Sequence, residues 1–271
     1  MKHSCDQLRN LLLGSTVKNV ITESTGRYAQ CSPEGHDEFL SEIIKTDYKI
    51  SDIDVKGKFM WWTFQSTHQT WYMWCTYGMS GQWTTHKTKH TAYSIEVISN
   101  NGVVLHFNDQ RHFGTIKFVK DKFVHQKKLN SLGPDMLNDP PDQLEFCQRV
   151  LRKEHRTIAE NLMDQSLISG VGNYIKSEAL YRAKISPNRI VSEISSGEFI
   201  SLRESVVNVM SESYLSKGAS FRSYKNPDGT LGTKQFKFMI YDQKVAPCGH
   251  LVHVEETKDR RTSHWCVYCQ K

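Results

Sequence analysis

Apolar and polar positions alternate in the first half of this chain and recur at helical spacing in the second. Runs at 17–21, 50–55, 59–64, 71–76, 94–98, 103–107 and 115–119 are rich in β-branched and aromatic residues and are separated by turn residues, which predicts short strands. Asn100-Asn101-Gly102 is a hairpin turn between two of them. Strands at this regular spacing predict a β-sandwich. A short helix over 6–14 precedes them, with Leu8, Leu11 and Leu12 inward and Gly14 as its stop.

The strand pattern ends around Leu132-Gly-Pro-Asp135 and Asp139-Pro-Pro-Asp142, a proline-rich acidic linker. Helical spacing takes over at 144–153 and again at 196–215, where Phe199, Leu202, Val206, Val209 and Met210 form a core stripe and Ser195 with Glu198 a capping box. Between them lies a helical hairpin. Its first helix carries Ile158, Leu162 and Met163 and ends near Ile168; Ser169-Gly-Val-Gly172 makes the turn. Asn173 starts the second helix, with Ile175, Ala179, Leu180 and Ala183 on one face and Pro187 closing the segment. Bare backbone N–H groups at such a helix N-terminus form an anion site. Residues 218–235 are polar and glycine-rich, with a plain turn at Asn226-Pro-Asp-Gly229, and two strands at 236–241 and 251–254 lead into the tail. The fold class is α+β, divided as a β-sandwich over 1–138, a helical domain over 139–228 and a β-hairpin over 229–271.

Composition narrows the picture only in places. At 271 residues and 38% hydrophobic, the chain can build one large core or two medium ones. A net charge of +6 is compatible with a polyanion partner and does not identify one. No run of eighteen apolar residues predicts a membrane span, and the N-terminus lacks the apolar stretch of a secretory signal, so the expectation is an intracellular protein. Of the seven cysteines, Cys5, Cys31, Cys75 and Cys147 are scattered, whereas Cys248, Cys266 and Cys269 crowd the tail; this reads as reduced thiols plus a metal site.

Cys266-Val-Tyr-Cys269 can hold two thiolates on one edge of a tetrahedron, and Cys248-Gly-His250 supplies the second pair. The Cys-x-His spacing is tighter than usual, so His253 is an alternative to His250, and a redox Cys-x-x-Cys is the competing use. Four ligands make a closed, structural zinc site that holds a hairpin too small to fold alone. Between the pairs, Lys258-Asp-Arg-Arg261 is either a solvated loop or, on a clamped hairpin, a rigid phosphate contact.

These motifs together resemble the formamidopyrimidine-DNA glycosylase and endonuclease VIII family along nearly the whole chain. Val55-Lys-Gly-Lys58-Phe is similar to its Gly-Lys strand motif, Tyr77-Gly-Met-Ser-Gly81 to its Gly-Met-Ser-Gly loop, and Asp109-Gln-Arg-His-Phe-Gly114 to its Asp-x-Arg-Arg-Phe-Gly loop. Leu132-Gly-Pro-Asp135 recurs at its domain junction, the glycine turn ending at Asn173 is its helix–two-turn–helix, and Arg261 with Cys266 and Cys269 matches its zinc finger. The resemblance implies a monomeric two-domain clamp on double-stranded DNA with a damaged or abasic site and a base flipped into the cleft. It implies that Met79, Arg111 and Phe113 fill the hole left by the flipped base, that Gly172, Asn173 and Arg261 grip phosphates, and that Lys58 holds a phosphate and assists strand cleavage. On residues alone, Met79 reads simply as a core methionine.

The resemblance implies base-excision repair by a DNA glycosylase with abasic-site lyase activity on oxidised bases. The family's nucleophile is an N-terminal proline followed by glutamate; aligning Gly14 and the leucines before it places Met1 about where that motif ends, so the motif is not in this chain. Two readings compete: a misassigned start, favoured because everything downstream of the gap is kept, which leaves the glycosylase and lyase function standing, and a catalytically impaired binder of damaged or abasic-site DNA. The chain as written is expected to bind damaged duplex DNA and to remove bases poorly. The segment from Gly218 to Gly229 resembles the loop that covers the flipped base in the branch acting on oxidised purines, whereas Cys-x-His resembles the fingers of some endonuclease VIII members. A zinc-finger transcription factor would need a reading helix after its ligands, which the tail lacks.

Overall fold

The structure, a computed structural model, describes residues 1–24, 26–98, 102–216 and 236–271. The turn expected at Asn100-Asn101 and the polar stretch 218–235, with its turn and its covering loop, lie outside the described residues. The chain divides into two compact units, whose described residues are Met1–Leu129 and 130–216 with 236–271.

The first unit is a β-sandwich. Its strands are β1 (Thr16–Thr22), β2 (Tyr48–Lys56), β3 (Phe59–Gln65), β4 (Thr70–Thr76), β5 (Gln82–Thr84), β6 (Thr91–Ile98), β7 (Val103–Asn108) and β8 (Thr115–Val119), in the hydrogen-bonded order β5-β7-β6-β1-β2-β3-β4-β8. Pairing is antiparallel throughout. β1 and β2 share only Thr16–Lys49 and Val17–Tyr48, whereas β2 and β3 pair from Lys49–Gln65 to Lys56–Phe59. The short seam lets the sheet fold into two layers of four strands whose inner faces meet. Trp62 on β3 lies 5.2 Å, centroid to centroid, from Trp83 on β5, and Tyr93 on β6 lies 6.1 Å from Phe118 on β8.

Helix α1 (Lys2–Leu12) starts four residues earlier than the leucine pattern predicts, because its buried stripe begins with Ser4 and Cys5, which hydrophobic spacing does not register. Leu11, expected inward, is 42% exposed; Ser4, Cys5, Leu8 and Leu12 cover that face. Helix α2 (His36–Ile43) and helix α3 (Lys122–Asn130) were not foreseen. α2 plugs the sandwich with Phe39, stacked on Phe64 and Phe118 at 4.9 Å each.

The second unit holds α4 (Gln143–Leu151), α5 (Ile158–Met163), α6 (Asn173–Ala183) and α7 (Ser196–Leu215), with β9 (His253–Glu256) paired to β10 (Thr262–Trp265). The expected stripes of α6 and α7 are buried, and the Ser195–Glu198 capping box is formed. α5 stops at Asp164 rather than near Ile168, since the Asp164 carboxylate takes the N–H and hydroxyl of Ser166 and turns the chain. Residues 236–241 are not a strand. Their backbone donors are taken by one side chain: Glu178 of α6, fully buried, accepts from Met239 N at 3.0 Å, Ile240 N at 2.9 Å and Tyr241 N at 2.9 Å. The strand expected at 251–254 is displaced to His253–Glu256.

Candidate nucleic-acid interface and metal centre

In the first unit, two loops are locked to each other by a buried carboxylate. Asp109 is 2% exposed; its Oδ1 accepts from Ser80 Oγ at 2.5 Å and its Oδ2 from Gly114 N at 2.6 Å. Ser80 Oγ in turn accepts from Arg111 N at 3.0 Å. Gly78 sits so close to the second loop that a Cβ there would stand 2.7 Å from the Phe113 backbone, so no larger residue fits without parting the loops. Tyr77 ties the assembly to α1 through a 2.6 Å contact between its hydroxyl and Ser4 Oγ. The clamp holds Met79 and Phe113 outward, 59% and 54% exposed, with the Arg111 guanidinium 5.3 Å from the Phe113 ring centroid. Met79 is therefore not a core methionine. Asp109 and Ser80 carry the arrangement and were not singled out from sequence, although both lie inside the recognised motifs. Lys58 is exposed on the turn between β2 and β3.

The second unit gathers Gly172, Asn173 and Arg261. Gly170, at φ 100°, turns the chain into α6, and Gly172 is the helix N-cap residue. Leu132-Gly-Pro-Asp135 braces this turn: Gly133 N donates to Gln165 O at 2.9 Å and Ser169 N to Pro134 O at 2.8 Å. The Asn173 amide does not cap the helix; Nδ2 donates to Thr262 O at 2.8 Å, joining the α6 N-terminus to β10 beside the exposed Arg261. A second bridge was missed by sequence reading: Lys176, fully buried on α6, pairs with Asp259 at 2.6 Å. Burial pulls the Lys176 amine below its ordinary value, and the Asp259 carboxylate opposes the shift.

Cys248, His250, Cys266 and Cys269 bring one ligand atom each to within 4.8 Å of one another. Cys248 Sγ to Cys266 Sγ, Cys266 Sγ to His250 Nδ1 and Cys269 Sγ to His250 Nδ1 are each 3.7 Å. With metal–sulfur bonds of about 2.3 Å the edge of a tetrahedron is about 3.8 Å, so the donor set fits one metal ion. His253 points elsewhere, edge-on to the Trp265 ring at 5.7 Å, so His250 is the histidine that stands with the three cysteines. Gly249 makes the tight Cys-x-His spacing possible at φ 85°, a conformation that L side chains rarely adopt. The knuckle is anchored by buried Gln270, whose Oε1 accepts from Cys266 N at 2.8 Å and whose Nε2 donates to Ile185 O at 2.8 Å. Cys5 and Cys75, by contrast, are buried thiols pushed up to about 12 by desolvation, and so stay protonated. Among the described residues, no helix is long and apolar enough to cross a membrane.

Comparison with known proteins gives the same pattern. Residues 1–116 match the formamidopyrimidine-DNA glycosylase N-terminal domain and residues 132–225 the formamidopyrimidine-DNA glycosylase H2TH domain. A formamidopyrimidine-DNA glycosylase of an Exiguobacterium species is 30% identical over 98% of this chain and 96% of its own. The MutM (Fpg) protein of Thermus thermophilus superposes with a TM-score of 0.81 at 27% identity, covering 99% of this chain and 96% of that one. A Lactococcus lactis Fpg mutant in complex with DNA containing Fapy-dG shares the fold at a TM-score of 0.82 and 21% identity, over 99% of this chain and 97% of that one. The chain belongs to the formamidopyrimidine-DNA glycosylase family.

Proposed function

We propose that this chain is a base-excision DNA glycosylase that binds duplex DNA at an oxidised base or an abasic site and cleaves the abasic strand by β-elimination. Family membership supplies the reaction class. The observation that carries the substrate class is the exposure of Met79, Arg111 and Phe113 on two loops locked by Asp109. Exposed apolar side chains on a rigid support suit a gap in a base stack: a thioether and a ring replace lost stacking, and a guanidinium donates to the orphaned base. The L. lactis relative in complex with Fapy-dG DNA supports the same partner.

The remaining roles follow by chemistry. The Gly172 N–H, Asn173 and Arg261 hold phosphates at the α6 N-terminus. Lys58 holds a phosphate, and its primary amine can condense with the C1′ aldehyde of an abasic site, releasing water; loss of the C2′ proton then expels the 3′ phosphate. Zinc, held by Cys248, His250, Cys266 and Cys269, fixes the hairpin and takes no part in the reaction. The protein works as a monomer inside the cell.

Duplexes carrying an oxidised purine, an oxidised pyrimidine, an abasic site or no lesion, assayed for binding, strand cleavage and a borohydride-trapped adduct, test the reading. Lesion duplexes should bind at least about 10-fold tighter than intact duplex, and Met79→Ala or Phe113→Ala should each remove much of that preference, a stacking contact accounting for about 1–3 kcal/mol. Equal affinity for intact and abasic duplexes would sink it. Tight binding with neither excision nor adduct would reduce it to a damaged-DNA binder.

A further inference from the structure

Lys176 lies one turn beyond Gly172 and Asn173 on α6, and its side chain is fully buried. An ammonium taken out of water needs a partner, and Asp259 Oδ2 provides it at 2.6 Å from a side chain only 4% exposed. The second oxygen of the same carboxylate works on the hairpin turn. Asp259 Oδ1 accepts from Thr257 Oγ1 at 2.6 Å and from Arg261 N at 3.4 Å. Thr257 Oγ1 also lies 2.7 Å from Ser263 Oγ and 3.2 Å from Arg261 O, and Thr257 N donates to Arg261 O at 3.1 Å. One buried carboxylate therefore links helix α6 to the backbone on both sides of the Arg261 side chain. Apolar packing does not fix this turn, since Lys258, Arg260 and Arg261 are all exposed. A buried ion pair is a weak source of stability, and its attested use is to select one geometry.

We propose that Lys176 and Asp259 are positioning residues: they set the Arg261 guanidinium at a fixed place beside the α6 N-terminus, so that Gly172, Asn173 and Arg261 meet the DNA backbone as one preformed grip. The inference rests on the reading that Arg261 contacts phosphate. It requires that Arg261 lose its contribution when the link is removed, even in a protein that is as stable as the parent and still holds its metal.

The paired variant Lys176→Met with Asp259→Leu removes both charges and keeps the volume apolar. Its thermal midpoint should stay within a few degrees of the parent, as replacement of a whole buried pair often allows, with metal content unchanged. Its affinity for an abasic-site duplex should fall about 10-fold, as for one lost charge-assisted contact, and the slope of log K against log salt should shrink by about 0.9. Arg261→Ala, expected to weaken the parent about 10-fold, should cost less than about 2-fold in the paired variant. If the paired variant does not fold, Thr257→Val keeps the ion pair and the Asp259–Arg261 N contact, removes the hydroxyl link and should lower the cost of Arg261→Ala to between about 2-fold and 10-fold. Parent-like binding by the paired variant, or an equal cost of Arg261→Ala in every background, overturns the proposal. No loss from Arg261→Ala in the parent would instead overturn the phosphate contact itself.

Discussion

The sandwich and the hairpin that carries the Cys/His cluster solve the same problem with different means. The sandwich surrounds Phe39, Trp62, Phe64, Trp71 and Tyr93 with the inner faces of two sheets, and its apolar cluster runs from Cys5 to Phe118. The hairpin region has Ile240, Ala246 and Cys266 as its buried apolar cluster, far too little to offset the ordering of its backbone. Its place is set by polar side chains reaching from α6 and the tail, Glu178 on 239–241, Asn173 on Thr262, Lys176 on Asp259 and Gln270 on Cys266, beside a four-residue cluster that can hold a metal. Rings that pack fix a fold in bulk. Hydrogen-bonded carboxylates and amides fix where one strand or one arginine sits.

Metal removal should separate the two regions most sharply. Chelation should release the backbone amides of 245–271 to rapid hydrogen exchange and leave those of β2, β3 and β4 protected, because metal affinity in a small hairpin is folding free energy, on the order of 10 kcal/mol in isolated fingers. Loss of protection in the sandwich strands as well would show that the two regions are not independently held.

The converse perturbation is Phe39→Ala. Phe39 is fully buried against Tyr48, Phe64, Trp71 and Phe118, so its truncation should cost about 3–5 kcal/mol. Denaturant unfolding followed by tryptophan fluorescence reads it, since Trp61, Trp62, Trp71, Trp74 and Trp83 all lie in this unit. Metal content should not change. A loss below about 1 kcal/mol would mean that the aromatic cluster repacks around the hole.

The same contrast governs what the sequence disclosed. Strands whose inner residues alternate with outer ones, such as β3 with Met60, Trp62 and Phe64 buried, announce themselves by period. Cys266-Val-Tyr-Cys269 announced the metal site by spacing, and the loops at 77–81 and 109–114 by their resemblance. The segment 236–241 was misread because Phe236, Phe238, Ile240 and Tyr241 look like a strand, while the group that claims its backbone donors stands some sixty residues away. Lys176 looks like a solvated lysine in an amphipathic helix, and nothing local says that Asp259 will meet it. Long-range polar contacts between single side chains leave no periodic trace. They are the parts of the candidate site that appear only in the folded chain.

Glu178→Gln tests one such contact directly. The carboxylate accepts from three successive backbone N–H groups, all within reach of Oε1 and Met239 N also of Oε2; an amide of the same shape carries no charge and turns its NH2 toward Met239 N. The expected cost is about 2–3 kcal/mol, that of losing hydrogen bonds to a buried charged acceptor. It should appear as faster amide exchange at 239–241 with the sandwich strands unaffected. An effect of only a few tenths of a kcal/mol would mean that water or another acceptor replaces the carboxylate.

The smallest expected effect is the most local. Gly249 stands between two metal ligands at φ 85°, and a Cβ there would meet nothing within 4 Å, so Gly249→Ala creates no clash and isolates the cost of the backbone conformation. That cost is about 1–2 kcal/mol for an L residue held in the left-handed region. Since the Cys248–His250 spacing exists only in that conformation, the strain should appear as roughly 5- to 30-fold weaker metal retention in a competition with chelator, the factor equivalent to 1–2 kcal/mol. Sandwich stability should be unchanged. Unaltered retention would mean that the knuckle relaxes to another backbone path without losing its ligands. Weakened retention would trace the tight Cys-x-His spacing to the one residue type that can form it.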